Sequence, residues 1–191
     1  MSIKKTIQGY CKDKEVLLVG NSSSLLGKQN GSKIDKFDVV VRMNHGYPRS
    51  ELASCTGQKT DIWICAFNNL EKQVIEYQKF QPQYAIRLNN KTHVHPKMQQ
   101  IFLMWDMANW HQVKQATHIK KYPSTGLVSI YFFLYFIGMD QITLTGFDFF
   151  KTSNFYKNQI TPNLQARRWH EPNMEERYIK GLIREHKVNL L

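Results

Sequence analysis

Glu15-Val-Leu-Leu-Val-Gly20, continuing as Asn21-Ser22-Ser23-Ser24, is the stretch that decides the fold. Four apolar residues closed by a glycine are the pattern of a buried strand ending in a tight turn. The polar residues after the turn lead toward a helix. Working outward, strands are predicted over Asp38–Met43, Asp61–Ala66, Tyr84–Leu88, Ile101–Met104, Gln141–Gly146 and Val188–Leu191. Helices are predicted over Glu71–Phe80, over the almost wholly apolar Thr125–Ile137, and over Asn173–His186, where Met174, Tyr178 and Leu182 recur every four residues. Strands alternating with helices predict an α/β fold with one doubly wound, mostly parallel sheet. Such sheets bind ligands at the carboxyl ends of their strands.

The chain has 191 residues, enough for one large core, and no Pro-, Gly- or Ser-rich linker divides it. A single domain over residues 1–191 is expected. The longest apolar run, Leu127–Ile137, is too short to span a bilayer, and the first residues lack the apolar stretch of a secretion signal. Cys11, Cys55 and Cys65 show no CxxC spacing and read as reduced thiols, so a cytoplasmic setting is expected. The 26 Lys and Arg exceed the 15 Asp and Glu by 11, which asks for an anionic partner. No nucleic-acid-binding motif accompanies that charge, so an anionic substrate or the face of an anionic membrane is the expected counterpart and nucleic acid is not.

Four segments carry candidate chemistry, and each also has a plain structural reading. Gly20, Asn21 and Ser22 form a turn whose small side chains let backbone amides approach a phosphate, although neither the dinucleotide nor the P-loop pattern is present. Ser124, Thr125 and Gly126 open a helix. They can cap it, and they can hold a carboxylate at its positive end. Gly146, Phe147 and Asp148 follow a strand. Asp148 can accept bonds from a ribose or base, or from its own turn. His170 precedes the last helix, and histidine is the side chain most easily tuned to take a proton near neutrality. His93 and His95 could share one side of a strand, but no third metal ligand accompanies them, and no Asp-x-Asp is present.

Taken together these segments resemble the sialyltransferases of the eukaryotic type. Val16–Ser22 with Ile34–Asn44 and Gly57–Trp63 is similar to their large motif. Pro123–Val128 with Leu144–Asp148 is similar to the small motif, and His170 with Glu175 to the very small one, His-x-x-x-x-Glu. The chain is also similar to compact bacterial lipooligosaccharide sialyltransferases. The resemblance implies a Rossmann-like sheet, a variant of the glycosyltransferase A arrangement. It implies an inverting transferase that moves sialic acid from CMP-sialic acid to a hydroxyl of a glycan such as lipooligosaccharide or capsule, at the inner membrane face. No metal or other cofactor is implied.

By the same resemblance, Asn21, Ser22, Asn44 and Asn68 would bind the CMP part. Ser124, Thr125 and Gly126 would hold the sugar carboxylate. Gly146, Phe147 and Asp148 would line the cytidine pocket, His170 would be the general base, and Glu175 would orient the helix start. Of two tyrosines that bind the leaving phosphate in the bacterial enzymes, Tyr156 fits one, while Phe150 replaces the other. Arg167 or Arg168 could substitute. A CMP-Kdo or other nonulosonic acid transferase, and a non-catalytic CMP-sugar-binding or nucleic-acid-binding protein, are the alternatives.

Overall fold

The computed structural model of the protein describes residues 2–88, 94–106, 108–157 and 163–191. His93 lies outside these residues. Seven strands form one sheet: β1 Val16–Val19, β2 Val39–Met43, β3 Ile62–Cys65, β4 Tyr84–Arg87, β5 Phe102–Met104, β6 Ile142–Thr145 and β7 Val188–Leu190. Their order is β5-β4-β3-β2-β1-β6-β7. The sequence predicted a mostly parallel sheet; every strand pairing is parallel. The helices are α1 Ile3–Cys11, α2 Gly31–Ile34, α3 Ala53–Thr56, α4 Leu70–Phe80, α5 Ala108–Thr117, α6 Thr125–Tyr131, α7 Leu164–Trp169 and α8 Pro172–Arg184. The predicted helix 125–137 is α-helical only through Tyr131 and continues as a π-helical turn over Phe132–Ile137. His95 stands ahead of a short 3-10 turn, where it accepts from the Lys97 amide, rather than on a strand.

Strand alternation builds the layers, because successive side chains leave a strand on opposite faces. Val16 and Leu18 of β1 join a large core that includes Ile7 of α1, Val113 of α5, Leu127 and Ile130 of α6 and Ile179 of α8. Leu17 and Val19 join a second core with Leu25, Ile34 of α2 and Phe155. Trp63 and Cys65 of β3 pack with Phe80 of α4 in a third. Helices thus cover both faces, and the central strands are apolar on both sides. All three cysteines are free and buried. Burial pushes the Cys65 thiol up to about 11, as suits an inert core residue.

The chain winds from β1 to β5 in one direction, then returns to place β6 on the other side of β1. The gap between the carboxyl ends of β1 and β6 is therefore the topological switch point, where sheets of this kind form a crevice. There the backbones meet closely: the Gly20 N–H donates to Thr145 O (2.7 Å) and the Ser22 N–H to Gly146 O (3.1 Å).

Candidate active site

A cleft opens at this switch point. It is lined by Gly20, Asn21 and Ser22 after β1, Asn44 after β2, Ser124–Gly126 at the start of α6, Gly146–Phe150 after β6, and Thr152, Asn154, Tyr156, Asn163, Ala166, His170 and Glu175. The structure brings together every site residue read from the sequence except one. Asn68 is not on this wall; its side-chain oxygen accepts from Arg87 Nη2 (3.0 Å). Arg87 is fully buried in β4, so its charge draws on the acceptors beyond β3, Phe67 O and Asn68 Oδ1.

Two glycines set the floor. A side chain on Gly20 would place Cβ 2.2 Å from Gly146 O, and Gly146 itself has φ +71°. The Phe147 ring lies over both Gly20 and Gly126: a Cβ on either would come within 2.9 and 2.8 Å of it. Asn21 donates to Met43 O (3.1 Å) while its Oδ1 is buried without a hydrogen bond. Asn44 is more heavily committed. At φ +51° it accepts from the Ala66 amide and the Trp63 indole (both 2.9 Å) and donates to Thr125 Oγ1 (3.1 Å). It therefore ties β2, β3 and α6 together and faces the cleft with what remains.

Ser124 differs from the expectation that it holds a substrate carboxylate. A carboxylate does sit at this helix start, but it is the protein's own. Glu175 of α8 accepts from the Ser124 amide (2.8 Å) and hydroxyl (2.6 Å), while Ser124 Oγ accepts from the Leu127 amide (3.1 Å). Ser124 is thus spent on capping, and Thr125 and Gly126 are left to face a ligand. Asp148 also takes the structural reading on one side: its Oδ2 accepts from the Thr152 amide (2.7 Å) and hydroxyl (2.6 Å), closing its own loop.

The segment from Trp169 to Glu175 grips the segment from Lys120 to Ser124 at four places. The Tyr122 amide donates to Trp169 O (3.2 Å). His170 Nδ1 lies 2.7 Å from Tyr122 O. Glu171 accepts from the Lys120 and Lys121 amides, and Glu175 from Ser124. This pairing gives the His-x-x-x-x-Glu spacing a physical meaning. Because a carbonyl only accepts, Nδ1 of His170 carries the proton and Nε2 keeps its lone pair. Burial lowers the pKa of His170 below the usual 6.5, partly opposed by its bond to Tyr122 O. The ring is stacked on Phe150 (centroids 5.3 Å, planes 11° apart). Phe149 and Phe150 both have positive φ (57° and 61°), a conformation few bulky residues adopt, and one the loop between β6 and α7 holds beside the cleft.

Tyr156 accepts from Asn154 Nδ2 (2.8 Å), which leaves its own O–H to donate. Burial first, then Glu76, push the phenol up to about 12, so it stays protonated. Arg49 lies over its ring at 5.9 Å. Arg167 donates to Phe150 O (3.3 Å) behind the wall, and neither it nor Arg168 lines the cleft. Thr152, Asn154 and Asn163 were missed in the sequence. Only Asn163 carried a signal, as the cap of α7. Among the described residues no group of three or more His, Cys, Asp or Glu is placed to hold a metal ion.

Glu175 makes the site pH-sensitive. Burial pushes its carboxyl from 4.5 up to about 7 despite the bonds from Ser124. The folded state therefore binds this proton more tightly than the unfolded one. The resulting stabilisation is whole below about pH 4.5 and is lost as pH rises through 7. It amounts to about 3 kcal/mol. Glu175→Gln should flatten the urea-midpoint profile across this window; a profile as steep as that of the parent protein would contradict the assignment.

Comparisons with known proteins bear on this geometry. Residues 12–102 match the model of the family described as Glycosyltransferase family 29 (sialyltransferase). The match spans β1 to the start of β5 and ends before α6 and His170. Among solved structures, a mammalian sialyltransferase is 19% identical with a TM-score of 0.64, over 93% of this chain and 68% of that one. A mammalian sialyltransferase in complex with Gal-beta-1-3GalNAc-ortho-nitrophenol is 20% identical with a TM-score of 0.63, over 93% and 69%. At such identity the likeness is one of fold. No curated protein is similar enough in sequence to count as a match. Among the described residues no helix is long and apolar enough to cross a membrane.

Proposed function

We propose that this chain, whose residues 12–102 match the sialyltransferase family model and whose fold is that of solved sialyltransferases, is a glycosyltransferase that moves sialic acid from CMP-sialic acid to a glycan hydroxyl with inversion and without a metal ion. The observation that carries the proposal is His170: a half-buried imidazole, lowered in pKa, with its proton fixed on Nδ1 by Tyr122 and its Nε2 left to accept, in a residue that lines the switch-point cleft. In the proposed step the acceptor hydroxyl gives its proton to Nε2 as its oxygen bonds to the anomeric carbon. The bond from that carbon to the phosphate oxygen breaks, and CMP leaves with the electron pair.

The nucleotide would lie along the backbone of Gly20 and Gly146, beside the Phe147 ring. The buried Asn21 Oδ1 would accept from a donor N–H or O–H. The amides of Thr125 and Gly126, at the first turn of α6, have no intrahelical acceptor and would receive the sugar carboxylate. Tyr156 would donate to the leaving phosphate, with Arg49 behind its ring adding positive charge. Phe150 would orient His170 by stacking instead of assisting departure. The acceptor is proposed to be a surface glycan such as lipooligosaccharide or capsule.

The test is transfer with CMP-sialic acid and galactose-terminated acceptors in the presence of a chelator. The expected result is release of CMP with an inverted glycosidic product, at a rate the chelator leaves unchanged. Strict dependence on a divalent cation would contradict the proposed mechanism, and turnover with CMP-Kdo alone would reassign the sugar.

A further inference from the structure

One surface outside the cleft has a composition that neither the core nor the proposed transfer explains. Leu164, Trp169 and Tyr122 are 68%, 60% and 54% exposed, three of the four most exposed large apolar side chains among the described residues. They lie on two segments that the Tyr122–Trp169 backbone bond holds side by side. The same segments carry Lys120, Lys121, Arg167 and Arg168, and Lys114 lies over the Tyr122 ring at 5.9 Å. The acidic residue among them, Glu171, is turned onto the amides of Lys120 and Lys121. What this surface presents is therefore apolar and cationic.

We propose that this surface, the outer side of α7 with the segment 120–122, docks on an anionic lipid bilayer. A tryptophan, a tyrosine and a leucine flanked by long cationic side chains suit the boundary between headgroups and acyl chains, and the net charge of +11 complements anionic lipid. Lysine is depleted from protein–protein interfaces, so a lysine-flanked apolar ridge suits lipid better than a protein partner. The orientation deepens the proposed function and rests on it. The other side of this segment, Asn163, Ala166 and His170, lines the cleft. Seating α7 on the bilayer brings the mouth of the cleft to the headgroups, where the hydroxyl of a lipid-linked glycan would arrive beside His170.

The test uses the whole protein with phosphatidylcholine vesicles, with and without phosphatidylglycerol. Trp63 and Trp105 are buried and Trp110 is part-buried, so Trp169 is the exposed indole that reports contact. The protein should sediment with phosphatidylglycerol vesicles, its tryptophan emission should shift to the blue, and brominated acyl chains should quench it. The double variant Leu164→Ser/Arg168→Glu should lose vesicle affinity roughly tenfold or more, while its CMP affinity and its transfer to a soluble acceptor stay unchanged. Failure to sediment would overturn the proposal. So would vesicle binding that leaves Trp169 unquenched and the double variant unaffected, since scattered lysines would then account for it. Transfer and CMP binding are read separately, so their failure would count against the proposed function while the vesicle result stands on its own.

Discussion

Replacing His170 with alanine should lower the transfer rate by about 10²–10⁴-fold, the usual contribution of a general base, while CMP still binds. The selectivity follows from geometry. In the proposed mechanism His170 would meet the acceptor through Nε2 while Nδ1 anchors it to Tyr122 O, whereas the nucleotide would rest on the backbone of Gly20 and Gly146. The pH profile supplies an independent readout. A base must be unprotonated to act, and burial lowers the pKa of His170. The acid limb of the parent protein's activity should therefore have its midpoint below pH 6.5, and the residual activity of His170→Ala should lose this limb. Stopped-time assays of CMP release across pH would measure both. Near-normal turnover in His170→Ala would remove the histidine from the mechanism.

Gly20→Ala is expected to be the most damaging added methyl group among the glycines of the cleft. Its Cβ would stand 2.2 Å from Gly146 O and 2.7 Å from Gly146 C, both backbone atoms of a strand end held by the Gly20–Thr145 bond. Neither can swing aside as a side chain would, so β1 and β6 must part at the switch point. A loss of about 3 kcal/mol or more is expected, at the upper end for overpacking, together with loss of CMP binding. Gly9→Ala is the control. Nothing lies within 4 Å of its added Cβ and it sits inside α1, so it should stabilise by about 0.5–1 kcal/mol. Urea unfolding of the two variants measures the contrast; equal midpoints would refute the packing argument.

The strands were legible because each is a short apolar run, and the alternation of faces is the same in sequence and in space. α1 was harder to read: its core contacts rest on Ile7 and Cys11, a thin stripe among lysines and polar residues. α7 buries none of its large apolar residues in the core, and so it had no periodicity to find. At the site, what followed strand ends and helix starts could be placed from topology: Gly20 to Ser22, Thr125 and Gly126, Gly146 to Asp148, and His170. What depended on loop geometry could not. Phe150 reads in sequence as a missing tyrosine, yet two successive left-handed residues turn its ring onto His170. Asn68 reads as one more asparagine after a strand, but a buried arginine on the neighbouring strand claims its oxygen. Ser124 reads as a ligand-holding hydroxyl, yet Glu175, fifty-one residues away, occupies it.

A crystal structure of the protein with CMP tests the central claim most directly. The account predicts the nucleotide in the crevice between β1 and β6, over Gly20–Asn21 and Gly146–Phe147. Its phosphate should lie within hydrogen-bond reach of Tyr156 or the amides at the start of α6, on the side that faces His170. CMP bound elsewhere, or a crevice that stays empty at millimolar nucleotide, would contradict it.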